Sequence, residues 1–513
     1  MLEHEMSALI LRSFPHTPTP HQRDVIDAIG RFLLSPVFPS AFILRGYAGT
    51  GKTSVIGAVV RAMQQLDHAV VLMAPTGRAA KVFSAASGAR AYTIHKVIYR
   101  QETFRGEATP FSLGFNPLKR ALFIVDEASM IGVGADGPGI FGSGCLLDDL
   151  VRFVREGDGC RLMLVGDTAQ LPPVGEDRSP ALEPRVLERY GMEVTMGQLT
   201  EVVRQQAQSG VLAGATDLRC RLSDGRFDLP QVCGSRDGEV RFLPGDELIE
   251  ALVSAYADCG RRDTIVITRS NKRANVYNQG IRARIFDYEE RLCRGDMVMA
   301  VRNNYYWTAR AAAEEQQALA AEPDSAEARR QAAASPLLSG LFSFIANGDT
   351  AEVVRFRNVH EMHGFCFADA TLRFPDYDDA TLTCRVLLDT LTSEAPALTR
   401  DEQQRLYESV LADYADVRNS RERFKRLRED PYYNALQIKY AYAVTCHKAQ
   451  GGQWERVFVD QGYLTPEMVG ASYLRWLYTA FTRTTDRLYL VNWPEEQRLA
   501  ADDGAEQTDA GGL

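Results

Sequence analysis

The run Ala41-Phe42-Ile43-Leu44-Arg45-Gly46-Tyr47-Ala48-Gly49-Thr50-Gly51-Lys52-Thr53 decides the fold. Its last eight residues match G-x-x-x-x-G-K-[ST] in full, a short apolar run precedes them, and the helical stretch SVIGAVVRAMQQL follows. A strand that turns through glycines into a helix presents backbone N–H groups to an anion. Gly46, Ala48, Gly49, Thr50, Gly51 and Ser54 therefore read as a cradle for the phosphates of ATP. Lys52 is expected to reach the β and γ oxygens, and the Thr53 hydroxyl to ligate Mg2+.

A magnesium–triphosphate site also needs a carboxylate for the metal and a group that orients water. LFIVDEASM (Leu122 to Met130) offers both at the end of a second apolar run: Asp126 for Mg2+ and Glu127 as base. Further runs of the same kind are VVLMAP (Val70 to Pro75) and LMLVGD (Leu162 to Asp167), and later TIVITRS (from Thr264), RVFVDQ (from Arg456) and RLYLVN (from Arg487). Continuous apolar runs that end in Gly, Pro or an acid fit buried parallel strands with function at their carboxyl ends. Two α/β domains are expected.

Composition sets the outer limits. The chain has 513 residues, 45% of them apolar, which is too long for one core and sufficient for several. It carries no apolar run long enough for a membrane span and no basic, signal-like start, so no membrane partner and a cytoplasmic, nucleoid-associated location are expected. Nine cysteines without a C-x-x-C pair suit reduced, buried thiols. The formal net charge of -9 does not exclude a nucleic-acid partner, because a groove needs only local Lys and Arg.

The remaining motifs are TPHQRDVIDAI around Gln22, APTGRAAK (Ala74 to Lys81), TIHK (Thr93 to Lys96) and GDTAQLPPVG (Gly166 to Gly175). LTEVVRQ (Leu199 to Gln205), YAVTCHKAQGGQW (Tyr442 to Trp454) and LYTAFTRTTDRLYLV (Leu477 to Val491) follow. In this order and spacing the chain resembles superfamily 1B helicases, the branch with RecD-like and Dda-like enzymes, over nearly all of Thr17 to Asn492.

The resemblance implies two RecA-like parallel-sheet domains, with a small pin inserted in the first and an SH3-like β-barrel inserted in the second. It divides the chain into a helical extension (1–16), a first domain (17–96 and 121–198), a pin (97–120), a second domain (199–301 and 436–497) and an inserted domain with helical additions (302–435). The acidic, Gly/Ala-rich end, 498–513, reads as a disordered tail.

It further makes Gln22 an adenine reader and Gln170 a coupler of the γ-phosphate to DNA. Arg204 and Arg483 become arginines that reach the γ-phosphate from the second domain, and Gln450 and Gly451 also fall at the nucleotide. Taken alone, either arginine would read as an ordinary ion pair. Single-stranded DNA is implied at Pro75, Thr76, Arg78, Thr93, His95, Thr445, His447 and Lys448, where hydroxyls, amides and a few cations hold phosphates without reading bases. Thr76 and Thr93 also suit helix caps, and His95 suits a packed core position. In the pin, Phe104 and Phe111 are candidates to stack at a DNA fork.

The resemblance implies ATP-driven unwinding with 5′-to-3′ travel, by a chain sufficient as a monomer. A translocase with weak unwinding and a non-motor P-loop nucleotidase are the alternatives.

Overall fold

The computed structural model describes residues 2–104, 107–134, 142–203, 209–234, 238–320, 335–338, 342 and 344–500. The phosphate-loop strand, Ser40–Gly46, lies inside a six-stranded sheet in the order Ala91–Thr93, Val70–Ala74, Leu122–Val125, Arg161–Gly166, Ser40–Gly46, Glu193–Leu199. Every pairing in it is parallel.

Alternate residues of these strands feed two cores. Phe42, Leu44, Ile124 and Met163 join Ile26, Val55 and Phe83 on one face, while Ala41, Ile43, Phe123 and Leu164 join Leu147, Leu150 and Leu182 on the other. The period of two explains why the strands read as continuous apolar runs: both faces are covered by helices. The amino-terminal helix Leu2–Arg12 packs on this domain through Ile10, which is fully buried.

The second sheet is also parallel, in the order Val240–Leu243, Thr484–Val491, Trp454–Asp460, Thr264–Thr268, Ala443–Thr445. Inserted in it is a closed five-stranded barrel of Met297–Ala300, Thr350–Met362, Phe365–Phe374, Ala380–Leu387 and Leu436–Tyr440. Its first and last strands lie outside the expected 302–435. They pair with each other, Met299 opposite Lys439, and so close the barrel at its attachment to the second domain. The barrel and the second sheet share one continuous core that includes Phe458, Leu490, Phe374 and Leu382.

The Ala/Glu-rich stretch begins as the helix Tyr306–Ala320. The charged stretch after the barrel forms two helices, Arg400–Ala412 and Ser420–Arg428, the first opened by a Thr399/Glu402 capping box. Their apolar residues Leu406, Val410 and Leu427 cover Phe365 and Phe367 of the barrel.

Residues 97–120 contain an antiparallel hairpin, Tyr99–Phe104 with Glu107–Leu113. The expected tail begins later than 498, because Arg498–Ala500 pairs in parallel with Val232–Gly234. The rest of that segment lies outside the described residues. Among the described residues, no helix is long and apolar enough to cross a membrane.

Candidate nucleotide and nucleic-acid sites

The phosphate loop follows its strand through Gly49 and Gly51, both at positive φ (+74° and +82°), and opens the helix Lys52–Gln65. A side chain at Gly51 would be strained at this positive φ and would push Gln22 aside, since a Cβ there would lie 2.5 Å from Gln22 Nε2. Gln22 is held by a capping box with Thr19 and donates to the Thr50 carbonyl at 3.1 Å, so the candidate adenine reader is fastened to the loop itself. Lys52 Nζ donates to the carbonyls of Gly46 and Tyr47 at 2.7 and 2.9 Å. It thus folds over the loop, where an incoming phosphate would replace two neutral acceptors with a charged one.

Two strand ends bring carboxylates to the same place. Asp126 follows Leu122–Val125 and accepts from the Glu127 N–H at 2.9 Å; Glu127 has φ +51° and turns the chain sharply there. Burial, and then the neighbouring Glu127, push the Asp126 carboxyl up, while the Glu127 N–H and Lys52 oppose this. Asp167, at the end of Arg161–Gly166, is also raised by burial, against the pull of Lys52 and of Tyr478. A buried carboxyl raised by desolvation favours a cation beside it. With the Thr53 hydroxyl at the helix start, Asp126 suits a magnesium ion that takes its other oxygens from phosphates and water.

The second domain closes this site. Arg483 is 4% exposed, and its Nη1 stands 3.9 Å from Glu127 Oε1. Its guanidinium donates to the Thr479 carbonyl (3.0 Å), the Gly452 carbonyl (3.3 Å) and Thr482 Oγ1 (3.1 Å). Its position therefore follows the end of the helix Ala471–Phe481. From the same helix, Thr479 Oγ1 accepts from the Leu171 N–H at 2.9 Å.

The neighbouring Gln170 is buried, and its Oε1 has no hydrogen-bond partner. A buried amide oxygen left unpaired is costly, and a bound water or ligand hydrogen would relieve it. Arg204 lies outside the described residues. Gln450 and Gly451, expected at the nucleotide, are engaged elsewhere. Gln450 donates to the Leu171 carbonyl at 2.6 Å, and Gly451 packs so closely on Ala79 that a Cβ would lie 2.9 Å from its Cβ. Both join the two domains.

Five of the eight residues expected at DNA, Thr76, Arg78, Thr93, His447 and Lys448, line two clefts. One, between the two sheets and the barrel, is lined by Thr76, Arg78, Asn347, Thr350, His447 and Lys448. The other, between the first domain and the barrel, is lined by Thr93 and Lys96 with Phe344 and Tyr377. Pro75 follows the strand Val70–Ala74. Thr76 and Thr93 each cap a helix, accepting from Ala79 N–H (3.2 Å) and Lys96 N–H (3.3 Å), and Thr445 opens Cys446–Ala449 without a side-chain cap bond. Lys448 reaches Asn347 Oδ1, and burial followed by Lys439 lowers its pKa to about 8.

Two of these residues do not serve as free cations. Arg78 stacks over the Trp454 ring at 4.0 Å and donates to the Gln453 carbonyl at 2.8 Å, which ties the first domain to the second. His95 has its ring 5.5 Å from that of Tyr99 and 5.8 Å from that of Phe344, and burial lowers its pKa to about 4, so it is uncharged at neutral pH. The base of the hairpin is anchored by Tyr99, whose hydroxyl donates to Asp149 Oδ2 at 2.7 Å. The side chains of Phe104 and Phe111 lie outside the described residues.

Sequence reasoning missed Asp167 and Tyr478, although both stand inside quoted motifs. The Tyr478 hydroxyl donates to Asp167 at 2.5 Å and accepts from the Ala48 N–H at 2.9 Å.

Residues 28–228 match an AAA domain, and residues 440–491 match a UvrD-like helicase C-terminal domain. The chain is 33% identical over 177 residues to the ATP-dependent RecD2 DNA helicase of Deinococcus radiodurans, a match covering 34% of this chain and 21% of that protein. It is 26% identical over 266 residues to the ATP-dependent DNA helicase dda of Enterobacteria phage T4, covering 50% of this chain and 55% of that one. The chain thus spans between a fifth and just over half of these relatives. Among solved structures, a Bacteroides Pif1 helicase in complex with ADP-AlF3 and ssDNA aligns over 93% of both chains at 14% identity, with a TM-score of 0.42. The AAA and UvrD-like matches thus fall in the order of the motifs, and both of these relatives are helicases, so the chain is similar to superfamily 1B helicases.

Proposed function

We propose that the chain is an ATP-driven DNA helicase that travels 5′ to 3′ on single-stranded DNA and separates duplex at a fork, acting as a monomer. The observation that carries this is Arg483 of the second domain standing 3.9 Å from Glu127 of the first, beside the phosphate loop. A site completed by two domains gives ATP a higher affinity for the closed cleft, and hydrolysis then favours reopening. The two relatives whose names specify ATP and DNA support the choice of both. The direction rests on the motif pattern of superfamily 1B.

In this reading Lys52 moves from the Gly46 and Tyr47 carbonyls to the β and γ oxygens. Glu127 orients the attacking water and takes its proton, while Arg483, joined by Arg204, neutralises charge on the transferring phosphoryl group. Thr53 and Asp126 would hold a Mg2+ ion, which would supply charge neutralisation at the phosphates. Gln170, with its unpaired amide oxygen, lies one residue from the Leu171 contacts to Thr479 and Gln450, so a change at the phosphate reaches both domains. Thr76 on the first domain and Thr445 and Lys448 on the second then hold the strand in turn, as the cleft closes and opens.

The test is strand displacement on duplexes that bear only a 5′ or only a 3′ overhang, run beside Lys52→Ala. Unwinding from the 5′ overhang alone, lost in the variant by on the order of a hundred-fold or more, is expected. Unwinding from the 3′ overhang alone would overturn the direction. Turnover that survives Lys52→Ala would overturn the site.

A further inference from the structure

Tyr478 is 1% exposed and sits on Ala471–Phe481, a helix of the second domain, yet both partners of its hydroxyl belong to the first. It donates to Asp167 Oδ2 at 2.5 Å, at the end of the strand that leads to Gln170. It accepts from the Ala48 N–H at 2.9 Å, within the phosphate loop. Asp167 is itself 1% exposed, and its other oxygen accepts from the Ala169 N–H at 2.9 Å. One hydroxyl therefore satisfies a buried carboxyl group and a part-buried backbone amide at once. Among the described residues, neither group bonds to another residue of the second domain.

We propose that Tyr478 is the cross-cleft positioning residue of this ATPase: its hydroxyl, bridging Ala48 and Asp167, sets how the helix Ala471–Phe481 seats on the phosphate loop and so where Arg483 meets the γ-phosphate. The inference rests on the ATP-hydrolysing reading of the cleft. Arg483 is tied to the carboxyl end of that helix through Thr479 and Thr482, and to the Gly452 carbonyl ahead of the neighbouring strand, so a change in seating moves the guanidinium with it. Thr479, the next residue, makes the neighbouring cross-cleft bond to Leu171. The helix thus meets the strand end at two successive positions. Leu171 binds through a backbone N–H at 2.9 Å, whereas Asp167 accepts through a carboxyl oxygen at 2.5 Å, so the Tyr478 bond is the shorter of the two.

Tyr478 touches no reacting atom in this scheme. Removing its oxygen leaves nucleotide binding to Gln22, Lys52 and the loop, all on the first domain, and weakens only the alignment that the second domain adds. A split between turnover and binding is the signature that distinguishes positioning from folding or from a nucleotide contact.

The experiment uses the full chain with Tyr478→Phe, Asp167→Asn and the double variant. ATPase stimulated by oligothymidylate gives kcat and KM, and titration of ADP with Mg2+ gives nucleotide affinity without turnover. Tyr478→Phe is expected to lower kcat by about tenfold, with KM within about threefold and ADP affinity within about twofold of the unaltered chain. If hydroxyl and carboxylate act as a unit, the double variant loses no more than the worse single one. An unchanged kcat, a loss that falls on KM or ADP affinity instead, or losses that multiply in the double variant would each overturn the inference. An unaltered chain that turns over no ATP would overturn the proposed function and this inference with it; defects confined to the variants bear on this inference alone.

Discussion

Arg483 Nη1 and Glu127 Oε1 lie 3.9 Å apart, one from each α/β domain, and this pair marks the seam of the candidate ATP site. At that distance in a buried place the attraction is substantial, yet the arginine keeps three hydrogen bonds to its own domain and is not consumed by the ion pair. Phosphate oxygens arriving between the two would take the guanidinium from Glu127 and leave that carboxylate free to accept a proton from water.

Replacing Arg483 is therefore expected to remove catalysis and spare the strand. Arg483→Ala should lower DNA-stimulated ATP turnover by about a thousand-fold, while binding of single-stranded DNA without nucleotide stays within about twofold. Arg483→Lys should recover little, because one ammonium cannot replace the fork that reaches Thr479, Gly452 and Thr482 together. Steady-state turnover beside fluorescence anisotropy of a labelled oligonucleotide checks both halves. Full turnover in Arg483→Lys would show that charge alone suffices.

The barrel is pressed onto the first domain at Gly77. A Cβ there would lie 2.5 Å from the Tyr377 hydroxyl and 2.9 Å from Asp349 Oδ1, and Tyr377 is locked by its own bond to Asp349 Oδ2 at 2.7 Å. Gly77→Ala gains up to about 1 kcal/mol of helix preference but must displace a buried, hydrogen-bonded pair. The clash should win, with a net loss of about 1–3 kcal/mol in urea unfolding. Gly280, inside Asn271–Arg284, has nothing within 4 Å of a Cβ, so Gly280→Ala should stabilise by up to about 1 kcal/mol. Equal effects at the two positions would show that the approach at Gly77 does not constrain the molecule.

What was legible in the sequence was local. The phosphate loop, Asp126, Glu127 and the buried strands each show themselves within a dozen residues, because strand, turn and helix need only neighbours in the chain. The closure of the barrel was not legible: MVMA and LQIKY are short, and the pairing of Met299 with Lys439 that unites them spans most of an inserted domain. Arg78 looked like a phosphate ligand by its place after a strand, but Trp454 covers it from the other domain. The contacts of Gln450 and Gly451 were hidden for the same reason, since their partners, Leu171 and Ala79, lie on the facing domain. Tyr478 stands inside the motif that begins at Leu477, but an aromatic on an apolar helix face reads as core. Its hydroxyl acquires a role only when two sheets meet.

The same interface beneath the barrel makes a prediction about pH. Asp349 is 2% exposed, and burial lifts its carboxyl from 3.8 to about 7. The Tyr377 hydroxyl and Ala346 N–H lower it by bonding one oxygen, Asp376 raises it, and Oδ1 remains unpartnered against Gly77. Between about pH 4 and 7 the folded chain keeps a proton that the unfolded chain has released. Folding then takes up a proton, so the contribution of this group is greatest below the unfolded pKa and falls as pH rises through the folded one, by at most about 4 kcal/mol. Asp349→Asn removes the titration while keeping the shape. Asp126 and Asp167 are raised as well and stay in both chains, so the informative quantity is the difference between two unfolding curves. That difference should be small at pH 4.5 and grow in favour of the asparagine towards pH 8, as read by urea unfolding across the range. Parallel curves would mean that Asp349 meets the same proton balance folded and unfolded, and that water reaches its free oxygen at the barrel interface.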